Sequence, residues 1–246
     1  MSDNSRPTNS KRVTVPVIVA AVAALVAIAM VFVPKFSGTT SADEVPVKDV
    51  RVQPREPLDK NDPLAKLVRR DPEDPMALGE VDAPVVMVNY SEFQCPFCGK
   101  FARDTEPTLI KKYVKDGTLR IEWRDFPYLG PESTTAARAG RAAAAQGEFW
   151  AFHDAMYANQ QPPNSGLLTE KYLAGVADKI GLNVAQFRKD MASPEIAKAV
   201  QRDFNEGQAI GVTGTPAFLI NGRPVIGAQP TDVFTGTIEK AAAEAR

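Results

Sequence analysis

From Pro84 to Tyr90 the chain reads Pro-Val-Val-Met-Val-Asn-Tyr, a β-branched and almost unbroken apolar run that ends just ahead of Cys95-Pro96-Phe97-Cys98. A strand of that composition has no face to offer water, so it belongs inside a sheet that is covered on both sides. The residues after it fit that demand. A helical stretch runs from the cysteines to about Lys115, interrupted at Pro107 and stopped at Gly117, and Leu119-Arg120-Ile121-Glu122-Trp123 then alternates like a second strand. The order is β-α-β.

From Ser133 to about Ile210 the periodicity is helical: an alanine-rich 133–146, an aromatic 148–159, then 169–180, 184–191 and 194–210. The last opens with Ser193 as N-cap and Pro194 at the first helical position, and Ile196, Val200 and Phe204 form its inward stripe. Ala217-Phe218-Leu219-Ile220 and Arg223-Pro224-Val225-Ile226 flank Asn221-Gly222, a strong two-residue hairpin signal, and a closing helix runs from about Thr231 to Ala245. A β-α-β start, a helical block at about 132–211 and a β-β-α finish describe an α/β core with a helical insertion, over residues 76–246.

Ahead of that unit, Val13 to Val33 form 21 positions without a charge, and as a helix they span about 31 Å, a bilayer core. Arg6, Lys11 and Arg12 precede the run, so the positive-inside rule leaves residues 1–12 in the cytoplasm and exports everything after the span. The length exceeds a signal-peptide core, which favours a retained anchor at 13–33 over cleavage near Thr40-Ser41-Ala42. Residues 34–75 hold 17 charged residues and seven prolines, the composition of an extended linker, within which Leu64, Leu67 and Val68 are suited to pack on the edge of the folded unit.

Net charge excludes one class of partner and cysteine count excludes another. With 29 Lys+Arg against 30 Asp+Glu the formal charge is −1, which gives no electrostatic case for nucleic acid. Two cysteines and one histidine are too few for a structural zinc site, so no metal is expected. The chemistry lies in the cysteine pair. With Cys95 at the N-cap and Pro96, Phe97 and Cys98 at the next three positions, the free N–H groups of the helix start face the Cys95 sulfur. A thiolate accepts those bonds better than a thiol does, and the helix dipole acts in the same sense. A fall of about three units from the free value near 8.5 makes Cys95 a thiolate at neutral pH. Fully expressed, that shift favours the reduced form by about 4 kcal/mol, or about 90 mV for two electrons. Cys98, one turn inward and less exposed, is suited to be the resolving thiol. A purely structural disulfide closing two residues adds little stability, because the gain grows with loop length.

Four segments carry a resemblance. Ser91-Glu92-Phe93-Gln94-Cys95-Pro96-Phe97-Cys98, Arg124-Asp125-Phe126-Pro127, Phe149-Trp150-Ala151-Phe152-His153-Asp154 and Gly214-Thr215-Pro216-Ala217-Phe218-Leu219-Ile220-Asn221-Gly222 are similar to the DsbA-type thiol-disulfide oxidoreductases of the thioredoxin-like fold. The resemblance covers about 76–246. It implies a thioredoxin-like fold with an inserted helical domain capping the active site, here behind one N-terminal transmembrane helix. It also implies a redox-active Cys95–Cys98 disulfide with no other cofactor, and a cis Thr215-Pro216 bond facing the cysteines, with Pro96, Phe97, Thr215 and Pro216 meeting the substrate. Implied partners are unfolded or reduced exported proteins and a quinone-linked membrane reoxidase of the DsbB or vitamin-K-epoxide-reductase type, with the enzyme itself a monomer. Two departures matter. Phe97 stands where the best-known oxidases have a histidine, so it brings no charge to the thiolate. Thr215 also occurs in the isomerase branch, but that branch dimerises through a separate folded N-terminal domain, which 34–75 does not offer. The alternatives are a reductase or isomerase, or a redox-silent binding module.

Glu92 and Asp125 are read as a proton relay near the dithiol, or else as unpaired surface carboxylates. His153 is read as a packing histidine, and Phe149, Trp150 and Tyr157 as core, with Phe97 on an apolar substrate face.

Overall fold

A computed structural model of the chain describes residues 62–245; the expected cytoplasmic end, the anchor at 13–33 and most of the linker lie outside the described residues. Among the described residues no helix is long and apolar enough to cross a membrane. The strands are β1 (Ala77–Leu78), β2 (Val85–Ser91), β3 (Leu119–Asp125), β4 (Ala217–Ile220) and β5 (Arg223–Ile226), paired in the order β1-β3-β2-β4-β5. The doubly buried run is β2, central as its composition demands, with all seven residues buried. It runs parallel to β3, Ser91 beside Asp125, and antiparallel to β4, Tyr90 beside Ala217. Asn221 and Gly222 turn the β4–β5 hairpin with φ of 45° and 82°, values this dipeptide tolerates. β1, two residues on the edge of β3, is too short to leave a periodic trace in the sequence.

Helix α1 (Pro96–Asp104) and α2 (Glu106–Leu109) are separated at Thr105 and followed by a π-helical turn at Ile110–Val114. The break falls two residues ahead of Pro107, whose missing N–H and bulky ring a new helix start can tolerate and a helix interior cannot. The insertion consists of α3 (Pro131–Ala144), α4 (Phe149–Ala158), α5 (Glu170–Lys179), α6 (Val184–Met191) and α7 (Pro194–Ala209), and α8 (Thr231–Glu244) closes the fold. Thr169, Asn183 and Ser193 cap α5, α6 and α7 through their side chains, each bond contributing about 1 kcal/mol.

Three apolar clusters result. Val85, Met87, Leu119 and Ile121 meet Phe101 of α1 and Phe234 and Ile238 of α8 on one face of the sheet. A smaller cluster, built on Val88, Tyr90 and Phe126, is covered by Leu64, Leu67 and Val68. Residues 62–70 thus pack on the domain upstream of 76, where the folded unit is expected to begin. The third cluster contains Cys95, Cys98, Phe93 and Trp123 together with the apolar faces of α3 to α6, so both sulfurs sit at the seam between sheet and insertion. Alanines of α3 bring that helix close, and at Gly140 a Cβ would come within 2.9 Å of the Phe93 ring, so that ring occupies the space a side chain there would take.

β3 departs from its pattern. Leu119, Ile121 and Trp123 face apolar clusters as expected, but the alternating Arg120, Glu122 and Arg124 are also buried. Glu122 accepts the backbone N–H groups of Arg69 at 3.0 Å and Arg70 at 2.8 Å and pairs with Arg124 at 2.8 Å. Arg69 reaches on to Asp203 and Glu206 of α7 at 2.7 and 2.9 Å. The polar half of the strand is therefore sealed beneath residues 69–70 and α7 rather than wet.

Candidate active site

The loop from the end of β2 delivers Cys95 to the N-cap of α1 with φ −69° and ψ 117°, and Pro96 takes the first helical position, as read from the sequence. Gln160, in the loop after α4, holds this turn from the insertion side: its amide donates to the carbonyls of Phe93 at 3.0 Å and Cys95 at 2.8 Å. A Cβ at Gly99 would collide with that amide, which explains glycine directly after the second cysteine. Nothing in a Gln-Gln-Pro-Pro loop signals such a role in advance.

Both cysteines are free thiols, the dithiol form. Exposure does not separate them as expected: Cys95 is 2% and Cys98 1% exposed. Electrostatics does. The Cys95 thiol is brought down to about 6, first by a hydrogen bond from the Cys98 thiol, against burial, then by the Thr215 side chain and the amides of Cys98 and Phe97. The helix-start amides therefore contribute, but the expectation that they act alone is corrected: Cys95 makes no full side-chain cap bond, and the neighbouring thiol is the larger donor. Burial first, and the adjoining Cys95 second, push Cys98 well above an ordinary thiol. One sulfur is a thiolate near neutrality while the other stays protonated.

Thr215-Pro216 is a cis bond beside the sulfurs, and Cys95 Sγ, while it carries its proton, donates to the Thr215 carbonyl at 3.2 Å. The Thr215 hydroxyl is buried without a full partner, and it acts on both sulfurs in the sense that favours their anions. Phe97 is 63% exposed, and two further exposed side chains belong to the same region: Ile226 pairs with Ala217, next to Pro216, and Tyr128 feels the charge of Cys95. The surroundings of the sulfurs thus present apolar surface to solvent.

Glu92 and Asp125 are both buried, so neither is a surface carboxylate. Glu92 accepts hydrogen bonds from the Ser133 hydroxyl and the Leu129 N–H, and burial, with a smaller push from Cys95, raises its carboxyl to about 7. Asp125 is tied up elsewhere: the Trp123 indole donates to one oxygen at 2.9 Å and Arg141 to the other, and Asp203 lies beside it. The structure brings Glu92 to the dithiol and engages Asp125 in the charge network under α7. His153 is 1% exposed, packed among Phe93, Trp123 and Trp150, with Glu106 at 3.5 Å. Phe149 and Tyr157 are buried and Trp150 half-buried.

A Cys-X-X-Cys turn at a helix start, with one lowered thiol, a buried second thiol and a facing cis-proline, on a thioredoxin-like sheet interrupted by a helical domain, defines a disulfide oxidoreductase of the DsbA-like class. The chain belongs to the thioredoxin family, whose profile matches residues 71–240. It is 33% identical over 150 residues, 59% of this chain and 69% of the relative, to the probable disulfide bond formation protein D of Bacillus anthracis. The fold is that of BdbD from Bacillus subtilis, with TM-score 0.64, 23% identity, and 68% of this chain and 92% of that one aligned. It is also that of alpha-DsbA1 from Wolbachia pipientis, with TM-score 0.66, 24% identity, and coverage of 74% and 96%. Enzymes of this type use a redox-active disulfide and no external cofactor.

Proposed function

We propose that this protein is a membrane-tethered, extracytoplasmic oxidase that introduces disulfides into exported proteins through Cys95 and Cys98. A substrate thiolate attacks Cys95 Sγ of the oxidised pair, a mixed disulfide forms, and the second substrate thiolate displaces Cys95 as a good leaving group. Pro96, Phe97, Thr215 and Pro216 meet the substrate chain, and Glu92 accepts or returns the proton that the dithiol exchanges. A quinone-linked membrane protein of the DsbB or vitamin-K-epoxide-reductase type reoxidises the enzyme, and the apolar run at 13–33 keeps both in one membrane.

The observation that carries this reading is the Cys95 thiol held at about 6. A thiol that is easily ionised stabilises the reduced form and makes its disulfide a stronger oxidant. The name of the Bacillus anthracis relative supports the same direction. Equilibration of the protein with glutathione tests it: a potential more oxidising than about −200 mV fits an oxidase, whereas one near the −270 mV of thioredoxin fits a reductase and overturns the proposal. Fractionation of cells after alkaline washing tests the tether, which requires the protein to stay with the membrane.

A further inference from the structure

When a substrate sulfur bonds to Cys95 Sγ, the Cys95–Cys98 bond breaks and its electron pair leaves on Cys98 Sγ. A thiolate then appears at a site only 1% exposed. Charge in such a place is costly unless hydrogen bonds meet it. The groups that act most strongly on Cys98 are Cys95, Ser91 and Thr215, with no cation among them.

Ser91 is the last residue of β2, and its hydroxyl lies 3.4 Å from that of Tyr157, on α4 of the insertion; both residues are buried. Tyr157 donates its single hydroxyl proton to the Glu92 carbonyl at 2.9 Å. The tyrosine oxygen is left only to accept, so Ser91 is the donor in the 3.4 Å contact. A serine hydroxyl has one proton and two lone pairs. With its proton on Tyr157, Ser91 makes no demand on a protonated Cys98, whose own proton lies on Cys95 in the reduced pair; with the proton swung round, it offers a donor to the Cys98 anion. Hydrogen bonding from Ser91 does favour the anionic form of Cys98, and Cys98 is the charge that Tyr157 feels most strongly.

We propose that Ser91 is a further catalytic residue of the exchange, its hydroxyl proton turning from Tyr157 Oη to Cys98 Sγ as the Cys95–Cys98 bond breaks, with Tyr157 as the positioning residue that accepts that proton between turnovers. The inference rests on reading Cys95 and Cys98 as the redox pair. The enzyme disulfide is the only oxidant: the substrate sulfur is oxidised, Cys98 is reduced, and the proton that finally neutralises Cys98 is the one the substrate thiol released to solvent on ionising. The same hydroxyl serves the forward step and its reverse, and reduced Cys98 rests as a neutral thiol. Loss of Ser91 therefore slows both directions and leaves the equilibrium in place.

The test is stopped-flow reduction of the oxidised full chain, in detergent, by dithiothreitol, with the reduction potential of each variant measured in parallel. Ser91→Ala is expected to react about tenfold or more slowly at an unchanged potential, the size of a lost hydrogen bond to a charged group. Tyr157→Phe is expected to slow the reaction about two- to fivefold, since the Ser91 hydroxyl stays but is no longer held in place. A wild-type rate in Ser91→Ala overturns the proposal, as does a rate and a potential that move together. If Ser91→Ala fails to fold, a wild-type rate in Tyr157→Phe overturns it instead. A wild-type protein that does not exchange with dithiothreitol at all overturns the redox reading itself, whereas normal wild-type exchange with an unaffected Ser91→Ala overturns this inference alone.

Discussion

Replacing Cys98 by alanine removes the largest influence holding the Cys95 thiol down. A hydrogen bond to a charged sulfur contributes about 1.5–3 kcal/mol, and one unit of pKa is about 1.4 kcal/mol, so the expected rise is about one to two units. Starting from about 6, the Cys95 thiol then titrates at about 7 to 8. It does not return to the value of a free thiol, because the amides at positions 97 and 98 and the Thr215 side chain still favour the anion. At pH 7 the thiolate fraction falls from roughly nine tenths to between about one half and one tenth. Thiolate ultraviolet absorbance of the reduced protein, followed through the titration, reads this directly, and the rate of alkylation at pH 7 provides a second measure. Cys98→Ser retains a donor and is expected to shift less than Cys98→Ala. If Cys98→Ala still titrates at about 6, the helix start and the Thr215 side chain set the thiol between them and the Cys98 sulfur has no part in it.

The remaining expectations concern linkage, roles and stability. The Cys95 thiol is depressed from 9.0 to about 6, so it stabilises the reduced fold fully above pH 9 and ceases to do so as pH falls through 6. The gain of about 4 kcal/mol belongs to that upper limit, and at pH 7 it is about 1.4 kcal/mol. Burial, the larger influence on Glu92, is common to both redox forms, whereas the smaller push from the Cys95 anion is not. Urea unfolding of reduced minus oxidised protein therefore reads the cysteine contribution together with its coupling to Glu92, and should grow by up to about 2.5 kcal/mol from pH 5 to pH 8; a flat difference contradicts it. Cys95→Ser is expected to abolish disulfide exchange, whereas Cys98→Ser accumulates substrate adducts on Cys95, and mass spectrometry finding none removes the assignment of roles. A chain that begins at Met76 lacks the Arg69 and Arg70 N–H groups on Glu122 and the Arg69 guanidinium on Asp203. Leaving those buried carboxylates underpaired should cost about 3–5 kcal/mol relative to a chain that keeps residues 62–75, measured by urea denaturation.

Much of this arrangement is legible in the sequence because it obeys local rules. The apolar β2, Pro96 just inside α1, Ser193 ahead of Pro194 and the Asn221-Gly222 turn each follow from backbone chemistry within a few residues, and each lies where that chemistry places it. The features that the sequence hides depend on partners distant in the chain. Nothing near Glu122 says that residues 69–70 will cover it, so alternation in β3 reads as a wet face. Nothing near Gln160 says that its amide will hold the Cys95 carbonyl, or that Gly99 makes room for it. Cys95 invites a reading through its own helix start, although the sulfur one turn away is the stronger donor, because helix geometry is written in the local residues and the approach of two side chains is not.

The sheet margins bear on the company such a protein keeps. An enzyme that meets unfolded chains is surrounded by segments ready to add as an extra strand to any open edge and so to seed aggregates. One border here is the two-residue β1, and the other is the four-residue β5, where Pro224 opposite Leu219 has no N–H to offer a newcomer. Neither border is a template of useful length, so an unfolded chain finds its footing around the sulfurs and not along a strand edge.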